Sequence, residues 1–282
     1  MSLITKFLER ARQDGVSHAL KKVAAFLFGK FRLFSRYDSL ICIDRRRIEL
    51  SEIIQKELNG TVSYGPFKGL KLSRDAWWGR TEIASILLGL YEKEILDSLM
   101  SIPSTHRTLI DLGAADGYYG IGVLINKMFD VSHCYEISEL GRSTIKANAE
   151  LNSVADRVQV HGIAKPDFYL DLKAVGVDLA KCVLLCDIEG AEFDLLRDDI
   201  FQSLQGSVIL IEIHDFLVED GFSKLQKLKR SANRYFSVIE LTTGARDLSG
   251  FPFLKTFHDN DRWLICSEGR AQQMTWLKLE PK

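Results

Sequence analysis

Three runs of residues have the make-up of a ligand site. The first is Leu109-Ile-Asp-Leu-Gly-Ala-Ala-Asp-Gly117. Gly113 and Gly117 permit a sharp turn and a close approach of backbone to ligand, and the helix expected from Tyr119 offers free N–H groups to a carboxylate or phosphate. The spacing is not the G-x-G-x-x-G of nicotinamide-binding folds, and Asp111 would repel a pyrophosphate while tolerating a cationic ligand. The second run, Cys134-Tyr-Glu136, ends in an acid able to accept both hydroxyls of an adenosine ribose. The third, Cys186-Asp-Ile-Glu-Gly-Ala-Glu192, is followed by Ile209–His214. Together they supply Asp187, Glu189 and His214, a set suited to removing a proton, with the imidazole as base and Asp187 orienting it or touching the substrate. Bland roles compete: Glu189 and Glu192 suit the positive end of a following helix, and His214 suits a hydrogen-bonded strand end. Asp187, Glu189, His214 and Asp215 could also hold a divalent cation, but no ligand spacing is diagnostic and no metal is expected.

The elements that must position these residues follow from periodicity. Apolar runs at Thr108–Leu112, Val131–Glu136, Val158–His161, Val183–Asp187, Val208–His214, Phe236–Leu241 and Trp263–Cys266 read as strands. Helical patterns at Tyr119–Lys127, Glu139–Leu151, Phe168–Val175, Glu192–Ser203 and Phe222–Ala232 separate the first six. The expected fold is α/β: a doubly wound, Rossmann-like, seven-stranded and mostly parallel sheet, its last strand antiparallel because no clear helix precedes it. In such sheets ligands sit beyond the carboxyl ends of the strands, where all three runs fall. Residues 1–60 read as a basic amphipathic helical region, 61–106 as short strands and a helix leading into the core, and 107–282 as the ligand-binding domain. Within 61–106 the hairpin pattern Thr61–Leu72 precedes Trp77-Trp78 and one helix over 81–100. The loop Thr242–Asp261, rich in glycine and phenylalanine, is placed to contact a substrate.

Composition narrows the class. The chain has 282 residues, 37 Lys and Arg against 38 Asp and Glu, and 46% hydrophobic residues, which excludes disorder and gives no reason to expect a nucleic-acid partner. Five scattered cysteines do not make a disulfide framework; reduced, mostly buried thiols are expected. No apolar run reaches the ~18 residues of a membrane span, so the default is a cytoplasmic protein. The first 50 residues carry eleven Lys and Arg against five Asp and Glu, a net of +6 that leaves −7 for the rest. Their helical pattern suggests an appendage, peripheral contact with an anionic membrane or glycan being the expected role.

Leu109–Gly117 resembles the S-adenosylmethionine loop of class I methyltransferases, and Asp187-Ile-Glu-Gly-Ala-Glu192 resembles the D-[IV]-E-G-x-E signature of their FkbM-like branch. Leu88-Gly-Leu-Tyr-Glu92, Asn148, Asn152 and Ile209–His214 support the likeness, which covers about residues 80–267. The resemblance implies S-adenosylmethionine as cofactor. Gly113, Ala114 and Gly117 would line its methionine end beside Asp111 and Asp116, Glu136 would hold the ribose, and Ile163 and Ala164 would face the adenine. The nearest acid for the adenine amine is Asp167, beyond Pro166, which departs from the usual pattern. The implied reaction is O-methylation of a hydroxyl on a glycan, a lipid-linked saccharide or a natural-product sugar. A non-catalytic binding or scaffold module on the same fold and a nicotinamide-dependent oxidoreductase are the alternatives.

Overall fold

The computed structural model describes residues 42–73, 80–270 and 272–282. The chain divides into two units, Met1–Ile48 and Glu49–Lys282, and the sheet with its helices belongs to the second. The amphipathic pattern of residues 1–41 and the pair Trp77-Trp78 lie outside the described residues. Among the described residues no helix is long and apolar enough to cross a membrane.

Seven strands form one sheet: β1 Thr108–Leu112, β2 Val131–Tyr135, β3 Val158–His161, β4 Cys182–Cys186, β5 Val208–Ile213, β6 Phe236–Thr242 and β7 Thr275–Pro281. Their order is β3-β2-β1-β4-β5-β7-β6. The first five are parallel, and β7 runs antiparallel to both β5 and β6. This is the doubly wound, mostly parallel sheet expected. Helices α1 Ile83–Leu87, α2 Lys93–Met100, α3 Tyr118–Ile125, α4 Glu139–Leu151, α5 Phe168–Ala174, α6 Glu192–Leu195, α7 Asp198–Ser203, α8 Gly221–Ala232 and α9 Asp259–Cys266 complete it.

Successive strand residues face opposite layers. Leu109, Val183 and Leu185 join one apolar cluster with Ile121 and Leu124 of α3 and with Leu50, Ile54 and Phe67. Ile110, Leu112, Leu184, Ile209 and Ile211 join the other, with Phe168, Phe201 and Phe236. Burial on both faces is why these strands read as unbroken apolar runs. Phe67 seats against Tyr118 and Tyr119, with ring centroids 5.1 and 6.0 Å away. A Cβ at Gly122 would come within 2.4 Å of the Phe67 ring, so glycine there makes room for it.

Four expectations need correction. The seventh strand is Thr275–Pro281, whereas Trp263–Cys266 is the end of α9. A four-residue apolar run cannot distinguish strand from helix by period alone. Asp259 and Asp261 in the first turn and the His258 side chain capping Asn260 N–H fix it as helix, which buries Ile265 and leaves Trp263 63% exposed. The helix over 81–100 is two, broken by Gly89 and Glu92 with φ of 65° and 44°. The helix over Glu192–Ser203 is likewise two, with a break between Leu195 and Asp198. The expected hairpin is a single antiparallel bridge between Thr61 and Lys71. Asn152 clamps it, accepting from Lys71 N–H at 2.9 Å and donating to Lys71 C=O at 2.7 Å.

Candidate active site

Register aligns Leu112 with Tyr135 and Cys186, so the loops after β1, β2 and β4 leave the sheet together. The neighbours β1 and β4 are also where the strand order reverses, the position at which such sheets open a crevice. Gly113 and Ala114 donate their N–H groups to Tyr135 C=O at 2.9 and 3.0 Å. Gly113 has φ 87°, and a Cβ on it would lie 1.8 Å from the Asp187 carbonyl oxygen. Its missing side chain therefore makes room for the β4 loop, rather than for a ligand as the sequence suggested. Gly117, φ 88°, turns the chain into α3, where a Cβ would press on Ile121. Asn148 fastens the turn by donating to Asp116 C=O at 2.9 Å.

A cleft of about 370 Å³ opens beside this loop, lined by Gly113, Glu136, Ile137, Ile163, Ala164 and Leu195 among others. Glu136 is buried and held by two backbone amides, Ala115 N–H at 2.9 Å and Ser138 N–H at 2.7 Å. Each carboxylate oxygen keeps one acceptor direction free, which suits a pair of neighbouring hydroxyls. Ile163, 62% exposed, and Ala164 form an apolar wall where the sequence placed a ring-facing surface.

A second cavity of about 390 Å³ shares Gly113, Ala115, Asp187 and Glu189 with the first. Among the described residues its lining carries Glu82, Glu92, Asp111, Asp116, Asp187, Glu189, Glu212 and Glu268 against a single cation, Arg270. Arg270 is consumed by that lining: it pairs with Glu92, with Glu212 at 2.6 Å and with Glu268 at 3.1 Å. Tyr119 donates its hydroxyl to Glu92 at 2.5 Å. Burial pushes several of these acids up: Asp116 to about 6, and Asp111 to about 7 with help from Glu136 and Asp116. Burial and the charge of Glu212 raise Glu92 to about 8, against the pull of Arg270. The Asp187 carboxyl is held well above the ordinary carboxylate range by burial and by Glu212 and Glu92.

Behind Asp187 lies His214, 3% exposed and ringed by carboxylates. Its Nε2 stands 3.4 Å from Glu212, 3.5 Å from Glu189 and 3.7 Å from Asp187. Burial opposes a charge on the ring, but Glu192, Glu212 and Asp187 outweigh it and raise the imidazole to about 10. Without metal His214 is thus a cation at neutral pH with no lone pair to accept a proton. Two carboxylates line both cavities, Glu189 and Asp187, and Asp187, its side chain 30% exposed, stands at their junction. Glu189 is more than half exposed and held in the left-handed region at φ 53°. Glu192 is wholly buried and accepts from Gly190 N–H at 2.8 Å and His214 N–H at 2.9 Å. It pins the ends of β4 and β5 together, a more specific task than favouring the start of a helix.

The sequence reasoning did not single out Glu212, Glu268 or Arg270 for the site. Glu212 had a readable signal: it is the one charged residue in Val208-Ile-Leu-Ile-Glu-Ile213, and an acid in a buried strand requires a partner. Arg270 stood beyond the misread strand and carried no such signal.

No family model and no curated relative matches the chain. Solved structures do resemble it. The O-methyltransferase from Bacillus cereus in complex with SAH is 12% identical, with 84% of this chain and 90% of that one covered and a TM-score of 0.45. TrmK of M. capricolum, in complex with S-adenosyl-homocysteine, is 11% identical over 66% of this chain and 67% of that one, with a TM-score of 0.42. A protein in the NADB-Rossmann superfamily from Streptococcus agalactiae is 16% identical over 67% and 68%, with a TM-score of 0.43.

Proposed function

We propose that this protein is an S-adenosylmethionine-dependent methyltransferase of the FkbM-like kind. Its acceptor is a hydroxyl of a glycan, a lipid-linked saccharide or a natural-product sugar. The observation that carries the proposal is the junction at Gly113 and Asp187 of an apolar cleft containing Glu136 with a cavity rich in acids. The donor set fits the cofactor. Glu136 would hold the ribose, Ile137, Ile163, Ala164 and Leu195 would enclose the adenine, and residues 113–116 would border the methionine portion. Eight carboxylates against one committed arginine favour a cationic ligand and disfavour the pyrophosphate of a dinucleotide. When bound, the cofactor supplies an activated methyl group on sulfur, so the protein's share is alignment and proton removal.

Acceptor hydroxyls would donate to the carboxylates of the acid cavity, which is why a polyhydroxyl acceptor suits it better than an anion. Asp187, in its ionised form, would take the hydroxyl proton as the acceptor oxygen is methylated. The Arg270 bridge would keep Glu92 and Glu212 from moving as charge shifts. Calorimetry of the folded protein with S-adenosylhomocysteine should show saturable binding; binding of NADH instead would overturn the cofactor assignment. Labelled methyl transfer should appear on a sugar hydroxyl in an acceptor panel. Transfer only to amines or nucleobases would overturn the acceptor class.

A further inference from the structure

We propose that Asp187, Glu212 and His214 bind a divalent transition-metal cation. One ligand atom from each lies within 4.8 Å of the other two, and His214 Nε2 stands 3.4 Å from Glu212 Oε2 and 3.7 Å from Asp187 Oδ1. The three carboxylate oxygens around Nε2, at 3.4, 3.5 and 3.7 Å, sit near the ~3.4 Å edge of a tetrahedron with metal–ligand bonds of about 2.1 Å. Glu189, whose Oε2 stands 3.5 Å from Nε2, is not one of the clustered ligand residues, so three protein ligands leave a position open. Asp215, the fourth member expected from sequence, is not part of the set.

Two further observations point to a ligand rather than to a chance gathering of acids. The His214 ring is almost wholly buried, and the Asp187 Oδ1 atom 3.7 Å from its Nε2 is buried without a hydrogen-bond partner. Approaches of 3.4–3.7 Å are too long to serve as good hydrogen bonds but leave the room an ion needs. The supports behind the three ligands are also in place. Glu212 gives Oε1 to Arg270 at 2.6 Å, which directs Oε2 toward His214. Glu192, anchored by two backbone amides, sets a carboxylate oxygen 3.6 Å from Nδ1, on the side of the ring away from the ion. A carboxylate behind a ligating histidine fixes ring orientation and raises ligand basicity. Asp187 and Glu212 line the 390 Å³ cavity, which provides the entry path.

Two carboxylates and an imidazole favour Mn²⁺ or Zn²⁺ over Mg²⁺ or Ca²⁺, which prefer oxygen alone. The ion would displace the imidazole proton and face the cavity with an open position able to take an acceptor oxygen. That role rests on the methyltransferase reading; the site itself does not.

The test uses the full chain, stripped with chelator, dialysed and titrated with Zn²⁺ or Mn²⁺ alone by calorimetry, with Mn²⁺ paramagnetic resonance as a second readout. One equivalent should bind, with Mg²⁺ at least tenfold weaker. Glu212→Gln and His214→Gln should abolish binding. Because both alter buried positions, Asp187→Asn at the partly exposed ligand is the decisive variant and should weaken binding on the order of 10–100-fold. No uptake by the folded wild-type chain, equal affinity for Mg²⁺, or unchanged binding in Asp187→Asn would each overturn the proposal. S-adenosylhomocysteine is titrated separately into the same stripped protein, so failure of the metal site and failure of the cofactor assignment are told apart.

Discussion

The cleft beyond β2 and the cavity beyond β5 share Gly113 and Asp187 but are held together in opposite ways. In the cleft, Glu136 is fixed by backbone amides of Ala115 and Ser138, and the walls are single apolar side chains from the loops that follow β2, β3 and β4. In the cavity, the acids around Arg270 are fixed by side chains far away in sequence, while both Asp111 carboxylate oxygens, the Tyr118 hydroxyl and Asp187 Oδ1 are buried without a hydrogen-bond partner. Glu92 meets Tyr119 and Arg270, Glu212 meets Arg270, and Glu268 meets Arg270 and Arg246. A carboxylate bound by backbone amides stays put whatever happens to its neighbours. A network of buried charges stands or falls as a unit, because removing one member leaves the others uncompensated. The cleft is therefore suited to gripping a constant ligand, and the cavity to chemistry in which a proton changes hands.

The contrast can be broken first at Asp187, one of the four residues common to both sides. Asp187→Asn keeps the shape but removes the proton acceptor. Turnover should fall on the order of 10²–10⁴-fold in a methyl-transfer assay, while S-adenosylhomocysteine affinity stays within a few-fold. Equal losses in turnover and cofactor affinity would show that Asp187 serves the cleft rather than the cavity. Next comes Arg270→Met, which strips the cation from Glu92, Glu212 and Glu268 and should cost about 3 kcal/mol of stability in urea denaturation. Glu136→Gln, by comparison, sets an amide NH2 against either Ala115 or Ser138 N–H and should cost about 1–2 kcal/mol of stability, less than Arg270→Met. Its effect falls on the ligand: one charge-assisted hydrogen bond to the ribose is lost, and S-adenosylhomocysteine should bind roughly tenfold more weakly. A Glu136→Gln chain as unstable as Arg270→Met would mean that the cleft is no more self-supporting than the cavity.

The same difference explains what was legible in the sequence. The strands β1 to β6 and the glycine loop could be read because each is a local pattern: apolar runs bounded by turns, and Gly113 and Gly117 at positions of positive φ. Glu136 was legible for the same reason, as the acid that ends β2. The acid cavity was only half visible. Asp187, Glu189 and His214 end their strands and could be picked out, but the residues that set their charge could not. Arg270 reaches Glu92 across 178 positions of sequence, and no periodicity encodes such a pairing. The misplaced seventh strand compounded this, because it hid that Glu268 and Arg270 lie just after α9 and before β7, beside the site. The charge environment of His214 was hidden for a reason of the same kind. Its intrinsic pKa is local knowledge, whereas three of the four carboxylates around it, Asp187, Glu189 and Glu192, are folded against it from the separate run after β4.

The smallest expected effect tests whether the two sides meet at the sulfur. Asp111 and Asp116, raised to about 7 and 6, border the acid cavity next to the glycine loop. Because their folded pKa values exceed the ordinary value near 4, the folded chain holds protons that the unfolded chain has released. Their contribution to stability is complete below pH 4 and is lost as pH rises through 7, so the cofactor-free protein should melt at a lower temperature at pH 8 than at pH 5. A bound cation reverses the sense of this. S-adenosylmethionine carries its positive charge on sulfur and S-adenosylhomocysteine does not, so ionising the two acids should favour the first ligand over the second. The ratio of their affinities should rise about three- to tenfold between pH 5.5 and 7.5. Asp111→Asn should flatten that rise by removing the later titration, with the earlier step of Asp116 remaining. A ratio that does not change with pH in the wild-type chain would place the sulfur away from these carboxylates. The acid character of the cavity would then serve the acceptor alone.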